Sequence, residues 1–200
     1  MSAASGVDPF PSLRGTWVTL EAFSSANSRE VDALDARRAL LPQMGGLRPA
    51  RTATGRYGPL MLIRDNRSGS AVGTVESDEM IGYPGVAVLI VFADPELSRP
   101  GYGMEATALY VPSLFERGAE ILHLEVLSFN REMIRILGRR HRPPDVRMRR
   151  HAYVGGHFWD LLMYGFDRDE MEAIIGDYRR VLPGGSRRIA ALGSGRQPRP

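Results

Sequence analysis

Between Val86 and Ala93 the chain runs through eight consecutive apolar residues rich in Val and Ile, a pattern that predicts a buried strand. The elements before it form a meander. Thr16 to Phe23 reads as a first strand, and Asn27 to Leu41 as a helix with Val31, Leu34, Ala39 and Leu40 at its apolar positions. Pro42 to Tyr57 reads as loop, and Gly58 to Arg64 and Ser70 to Ser77 as two antiparallel strands joined by the turn-rich Asp65-Asn66-Arg67-Ser68-Gly69. After the apolar strand, Met104, Ala108, Val111 and Phe115 recur at helical spacing up to a stop near Gly118. A strand over Ile121 to Leu127 and a helix over Asn130 to Arg140, with Met133, Ile134 and Leu137 on one side, complete a β–α–β–α order. Arg147 to Val154 and His157 to Phe166 then flank Gly155-Gly156, a two-residue hairpin signal. Asp167 and Glu170 have capping-box spacing before a last helix that aligns Met171, Ile174, Ile175, Tyr178 and Leu182. No internal repeat is visible.

The segment Asp94-Pro95-Glu96-Leu97-Ser98-Arg99-Pro100-Gly101-Tyr102-Gly103-Met104-Glu105-Ala106 joins the apolar strand to the helix after it. Gly101 and Gly103 therefore sit at a helix N-terminus. There a tight turn is possible, free backbone N–H groups point outward, and the positive end of the helix dipole lies behind them. Such a place accepts a phosphate. The bland reading is an ordinary loop before a helix, and a lone Gly-x-Gly favours it.

Composition narrows the class. A chain of 200 residues with 43% hydrophobic and 24% charged residues suits one domain with a full core plus a tail. No apolar run is long enough for a membrane-spanning helix, and Met1 to Ser12 lacks the order of a signal peptide, so a cytoplasmic protein without membrane contact is expected. The absence of cysteine removes disulfides, thiolate nucleophiles and Cys metal sites, and fits a reducing compartment. All 26 basic residues are Arg, which a GC-rich codon bias accounts for. Arg179, Arg180, Arg187, Arg188, Arg196 and Arg199 place +6 at the end of the chain with no acid after Asp177, leaving −3 for the rest. The expected organisation is a flexible N-terminus over 1–14, one domain over 15–182, and a disordered basic tail over 183–200 whose Gly, Pro, Ser and Arg cannot build a core. A solvated tail is the preferred reading over an RNA-binding one.

Four segments together change the weight of the glycine signal. Gly101-Tyr102-Gly103-Met104-Glu105-Ala106, Leu124-Glu125-Val126-Leu127-Ser128-Phe129-Asn130, Arg149-Arg150-His151-Ala152-Tyr153-Val154 and Asp160-Leu161-Leu162-Met163-Tyr164-Gly165, in this order of elements, resemble the GNAT acyltransferase superfamily. The nearest branch contains ribosomal-protein N-terminal acetyltransferases and related small-molecule N-acetyltransferases, and the resemblance spans most of Gly15 to Glu172. It implies an α/β (α+β) fold: a mixed, mostly antiparallel central sheet splayed in a V between its fourth and fifth strands, with flanking helices. It further implies acetyl-CoA or another acyl-CoA as co-substrate and an amine as acceptor. The amides of Gly101, Tyr102, Gly103 and Met104 would hold the pyrophosphate, with Arg99 reaching a phosphate. The splayed strand, at Val91 and Phe92, would offer backbone groups to the pantetheine, and Asn130 would bond its arm. Asn130 is equally a good N-cap.

The chain departs from the family pattern in places. Ser98 takes the first cradle position with Arg99 displaced by one, Pro100 removes a donor, Leu137 stands where many relatives carry a general-acid Tyr, and Gly138 to Asp145 replaces the usual ending of that helix. A thiolate leaving group needs only a weak acid. The amine must lose a proton, and the candidates for its base are Glu76 and Glu79, with Asp78 between them, at the end of a strand. His123 and Glu125 alternate onto one face of their strand, read mainly as structural. His151 and Tyr153 beside the glycine hairpin are expected to shape the acceptor pocket, and that hairpin is a plausible dimer contact. His151 and His157 lack a third ligand, so no metal is expected. The expected activity is N-acyl transfer by direct attack in a ternary complex. The competing expectation is the same fold kept for binding CoA or a partner without turnover.

Overall fold

The computed structural model describes residues 10–40, 58–80, 82–138 and 143–181. The expectations for residues 1–9, for the loop over 42–57 and for the basic tail lie outside the described residues. Eight strands form one sheet: β1 (Leu13–Arg14), β2 (Val18–Ala22), β3 (Met61–Asp65), β4 (Ala71–Glu79), β5 (Val86–Ala93), β6 (Ile121–Leu127), β7 (Val146–Val154) and β8 (His157–Phe166). Four helices accompany them: α1 (Ser28–Leu40), α2 (Tyr102–Glu116), α3 (Arg131–Gly138) and α4 (Arg168–Val181). The strand order is β1-β2-β3-β4-β5-β6-β8-β7, antiparallel throughout except for the parallel pair β5–β6. A mixed, mostly antiparallel sheet with flanking helices is thus borne out. The first strand is shorter than expected, because the chain turns through Gly15 and Thr16 and places Leu13–Arg14 back against β2 as a separate edge strand.

Side chains alternate between the two faces of the sheet, and each face has its own core. On one face α2 and α4 bury Tyr110, Leu114, Met171 and Ile175 against Val75, Leu89, Leu122 and Tyr164. On the other, α1 packs Val31 and Leu34 on Leu62 and Phe92. Glu105 of α2 is 2% exposed and has no ion-pair partner among the described residues; its carboxylate accepts the N–H groups of Thr16, Trp17 and Val18 at 2.7, 2.8 and 2.9 Å. Three charge-assisted bonds replace its hydration and pin the entry of β2 onto α2. The capping box at α4 forms as the spacing predicts: Glu170 N–H donates to Asp167 Oδ1 at 2.9 Å and Asp167 N–H to Glu170 Oε2 at 3.1 Å. Gly155 and Gly156 turn the β7–β8 hairpin with φ of 60° and 82°, the left-handed pair a two-residue turn requires.

Candidate active site

The parallel pairing of β5 with β6 runs from Val86↔Ile121 to Leu89↔Leu124 and stops there, although both strands continue. Beyond that point β6 stays paired with β8 and β5 with β4, so the two arms diverge and a cleft opens between Ile90–Ala93 and Glu125–Leu127. The backbone direction along β5 follows from its neighbours. Val86 accepts Met80 N–H and Asp94 donates to Val72, while Gly85 faces β6 and accepts from Glu120 and Ile121. Even-numbered residues therefore turn their backbone groups to β4, and odd-numbered ones to β6. Val91 and Ala93 consequently present N–H and C=O to the cleft. Phe92 does not: its backbone faces β4, and its ring is buried beneath α1.

The glycine turn abuts the open arm. A Cβ on Gly103 would lie 3.6 Å from Val91 Cγ1 and 3.8 Å from Ala93 Cβ, so the first turn of α2 sits directly over the cleft. Gly101 has φ 95° and provides no side-chain cap. Tyr102 N–H donates to Arg99 O at 3.1 Å, whereas the N–H groups of Gly101, Gly103 and Met104 have no backbone partner among the described residues. Three donors at a helix N-terminus thus remain for an anion, and the fourth amide of the expected set is engaged within the turn. The Tyr102 side chain is buried, tilted against Trp17. Burial pushes its phenol upward, with the Asp65 carboxylate adding to the shift. Behind the turn, Tyr178 of α4 donates to Gly101 O at 2.7 Å. Burial, then the charge of Glu105, raises the Tyr178 phenol and keeps it a donor.

The strand-to-turn junction is fixed by Asp94, 1% exposed. It bonds to Arg37 of α1 and accepts Glu96 N–H at 2.8 Å. Arg37 first, and the Glu96 and Leu97 N–H groups after it, hold this carboxyl below the ordinary carboxylate range. Ser98, in the first cradle position, is spent on the same junction, its Oγ donating to Asp94 O at 2.6 Å. Arg99 stands at the edge of the turn, where its charge helps hold the Asp65 carboxyl low.

Register also places the acids. Glu76 lies opposite Ile90, and Asp78 opposite Val88, on the α1 face of the sheet. Glu76 Oε1 lies 3.2 Å from Arg38 Nη1, a half-buried ion pair. Glu79, three residues on, points to the opposite face, so Glu76 and Glu79 do not converge. His123 and Glu125 share the α1 face, as their alternation indicates. Glu125 is the first residue past the end of the β5–β6 pairing; its carboxylate forms no hydrogen bond or ion pair among the described residues. Glu125 thus stands on the β6 lip of the cleft, and Glu76 one strand behind the β5 lip, on the same face. Among the described residues there is no group of His, Asp and Glu that could hold a metal. Leu137 is buried in the main core and offers the cleft no hydroxyl.

Asn130 caps α3, accepting Met133 N–H at 3.2 Å, and stands at the tip of the β6 arm. His151 and Tyr153 lie on the edge strand β7, both exposed, Tyr153 to 65%. Their strand is distorted: Met148 pairs with Leu161 and Ala152 with Trp159, so Arg149, Arg150 and His151 together face the single residue Asp160. Arg150 has φ 53°, rare for a non-glycine residue. Sequence reasoning missed Asp160. Its Oδ1 accepts Arg150 N–H at 2.8 Å and its Oδ2 lies 2.6 Å from Arg147 Nη2. The Arg150 N–H and then the Arg147 guanidinium hold its carboxyl below the ordinary range.

No protein-family model matches the chain, and no curated protein matches it in sequence. Solved structures do. A GCN5-related N-acetyltransferase from Brucella melitensis superposes with a TM-score of 0.63 at 19% identity, covering 87% of this chain and 86% of that one. Spermidine N-acetyltransferase from Vibrio cholerae, in complex with CoA and spermine, gives 0.64 at 13% identity over 79% of this chain and 99% of that one. The ribosomal-protein-S5-alanine acetyltransferase from Vibrio fischeri gives 0.63 at 11% identity over 81% and 99%. At such identities the likeness speaks to architecture, and it agrees with the resemblance read from the four sequence segments: the chain has the GNAT fold.

Proposed function

We propose that the protein is an acyl-CoA-dependent N-acyltransferase that moves an acyl group, acetyl in the simplest case, to an amine. The observation that carries this reading is the coincidence of two features at one place. The β5–β6 pairing ends at Leu89–Leu124, and the unpartnered N–H groups of Gly101, Gly103 and Met104 sit over the open arm. An anion on those donors would leave an extended chain lying along Val91 and Ala93, whose free backbone groups pair with amides in strand fashion. Pyrophosphate followed by pantetheine has that order of groups. The spermidine N-acetyltransferase structure holds CoA and spermine, and a Salmonella typhimurium relative of 16% identity holds acetyl-CoA, which supports the same use of the cleft here.

The thioester would then reach the vertex, with the acceptor approaching from the α1 face. The amine nitrogen attacks the thioester carbonyl carbon, the C–N bond forms, the C–S bond breaks, and the nitrogen gives up a proton. Glu125, at the vertex and on the approach face, is the base in this reading. Glu76, one strand behind the opposite lip and neutralised by Arg38, lines the same face, and Glu79 faces away. The thiolate takes a proton from water. Asn130 would meet the pantetheine at the tip of the β6 arm, and His151 and Tyr153 would border the acceptor on the hairpin side.

The test is acetyl transfer from acetyl-CoA to spermine and to a peptide with an N-terminal alanine, followed by mass spectrometry. Wild type should acetylate an amine. Glu125→Gln should lower kcat by about a hundredfold or more, within the range a positioned base contributes, with acetyl-CoA binding intact. Binding of acetyl-CoA without transfer to any amine would favour the binding-module reading, and an unchanged kcat in Glu125→Gln would remove Glu125 as the base.

A further inference from the structure

Asp160 lies outside the cleft, yet it is bonded to both structures that border it. On one side its own backbone and the side chain of Ser128 form a reciprocal pair: Ser128 N–H donates to Asp160 O at 2.9 Å, and Asp160 N–H donates to Ser128 Oγ at 3.0 Å. Ser128 is the residue that follows β6, so this pair closes the far wall of the cleft and fixes the turn that delivers Asn130 to the start of α3. On the other side the Asp160 carboxylate holds the bulge of β7. It accepts Arg150 N–H at 2.8 Å and Arg147 Nε–H at 2.7 Å, the only acid placed against three consecutive cationic or imidazole residues, Arg149, Arg150 and His151, among the described residues.

The bulge needs that support. Arg150 adopts φ 53°, a left-handed conformation in which its Cβ crowds the carbonyl oxygen, and its guanidinium lies 4.6 Å over the Phe158 ring. Beyond it Phe158 packs on Tyr153 with ring centroids 4.9 Å apart. The wall side is braced by aromatic contact as well, Phe129 of the turn meeting Trp159 edge-on at 5.1 Å. One residue therefore joins the turn at the cleft's end to the arginine-rich, aromatic tip of the edge hairpin. Bulges of this kind re-aim side chains beside functional sites.

We propose that Asp160 is a positioning residue that couples occupancy of the cleft to the order of the bulge Arg149–His151, so that a seated acyl-CoA prepares the hairpin side for the acceptor. This inference rests on the acyltransferase reading above. Ligand on the far wall restrains Ser128; the reciprocal Ser128–Asp160 pair restrains Asp160; and the carboxylate restrains Arg147 and Arg150. By reciprocity, loosening the bulge weakens the ligand.

The experiment is hydrogen–deuterium exchange of the full chain with and without acetyl-CoA, beside calorimetric titration of the same ligand. In wild type, acetyl-CoA should slow exchange at residues 127–131 and also at 147–151. In Asp160→Ala the protection at 147–151 should vanish while that at the first turn of α2 persists, and the Kd for acetyl-CoA should rise about tenfold, within the roughly 5–150-fold range of coupling between two sites. Asp160→Asn keeps an acceptor for Arg150 N–H but not the charge that pairs Arg147, and Ser128→Ala removes one of the two wall-side bonds; each should lose part of the coupling, and they serve in place of Asp160→Ala should that variant fold poorly. Wild-type protection confined to the cleft, or protection at 147–151 that survives in all three variants, would overturn the inference while leaving the acyltransferase reading standing. Wild type that does not bind acetyl-CoA would sink both.

Discussion

Replacing Gly101 by alanine tests the turn on which the proposed cofactor site depends. At φ 95° the residue lies where only glycine is comfortable, so alanine there loses on the order of 1–2 kcal/mol from conformation alone. The new methyl group also has nowhere to go: it would lie 3.0 Å from Trp17 Cζ3 and 3.2 Å from the Tyr178 hydroxyl, the same hydroxyl that donates to Gly101 O at 2.7 Å. Displacing two ring systems, packed from the bend before β2 and from α4, adds about 1–2 kcal/mol, the lower part of the range for overpacking. Together Gly101→Ala should destabilise the fold by about 2–4 kcal/mol, a drop of about 5–15 °C in Tm for a chain of this size. Gly103→Ala is the control two residues away, since its Cβ meets Val91 and Ala93 at ordinary van der Waals distance and its backbone is helical; it should stay within about 1 kcal/mol of wild type. Urea unfolding followed by circular dichroism reads both. A Gly101→Ala protein within about 0.5 kcal/mol of wild type, the scatter of surface substitutions, would refute the claim that Trp17 and Tyr178 enforce the turn.

Two further predictions concern buried acids. Glu105→Gln keeps the shape of the side chain but removes the charge that accepts three N–H groups and points an amide N–H toward donors, so it should cost about 2–4 kcal/mol in urea unfolding; a loss below about 1 kcal/mol would show that the β2 entry holds itself. Asp94 has its folded pKa lowered, chiefly by Arg37, so ionised Asp94 stabilises the fold above the ordinary carboxylate pKa and that contribution is lost as pH falls below it. The Tm of wild type should therefore fall more steeply below about pH 4 than that of Asp94→Asn, and parallel pH profiles would contradict the assignment.

Much of this architecture is legible in the chain because each element carries its own signal. The hairpin at Gly155-Gly156, the capping box at Asp167 and Glu170, and the Asn130 cap all appear where spacing places them. The vertex of the cleft is not, because Val86 to Ala93 is apolar throughout and nothing in it marks where pairing with β6 stops. For the same reason Val91 and Phe92 look alike in sequence, and only the β4 register shows that one faces the cleft and the other the α1 core. The acids at a strand end, Glu76 and Glu79, attract attention, yet register turns them to opposite faces and brings Glu125 to the vertex instead. Asp160 is hidden by a wrong count. A regular hairpin around Gly155-Gly156 would set His151 opposite Asp160, and the observed pairing of Met148 with Leu161 reveals that three residues share that place.

Calorimetric titration of acetyl-CoA into the wild-type chain and into Gly103→Asp asks whether the first turn of α2 is the seat of a pyrophosphate. A carboxylate at the second helical residue can satisfy the free donors of the first turn and suits the helix dipole, so the variant should fold as wild type does while repelling a pyrophosphate. Wild type should bind saturably, one to one and in the micromolar range, and Gly103→Asp should not bind. Absence of binding to wild type, or equal binding to a well-folded Gly103→Asp, would contradict a pyrophosphate seat there.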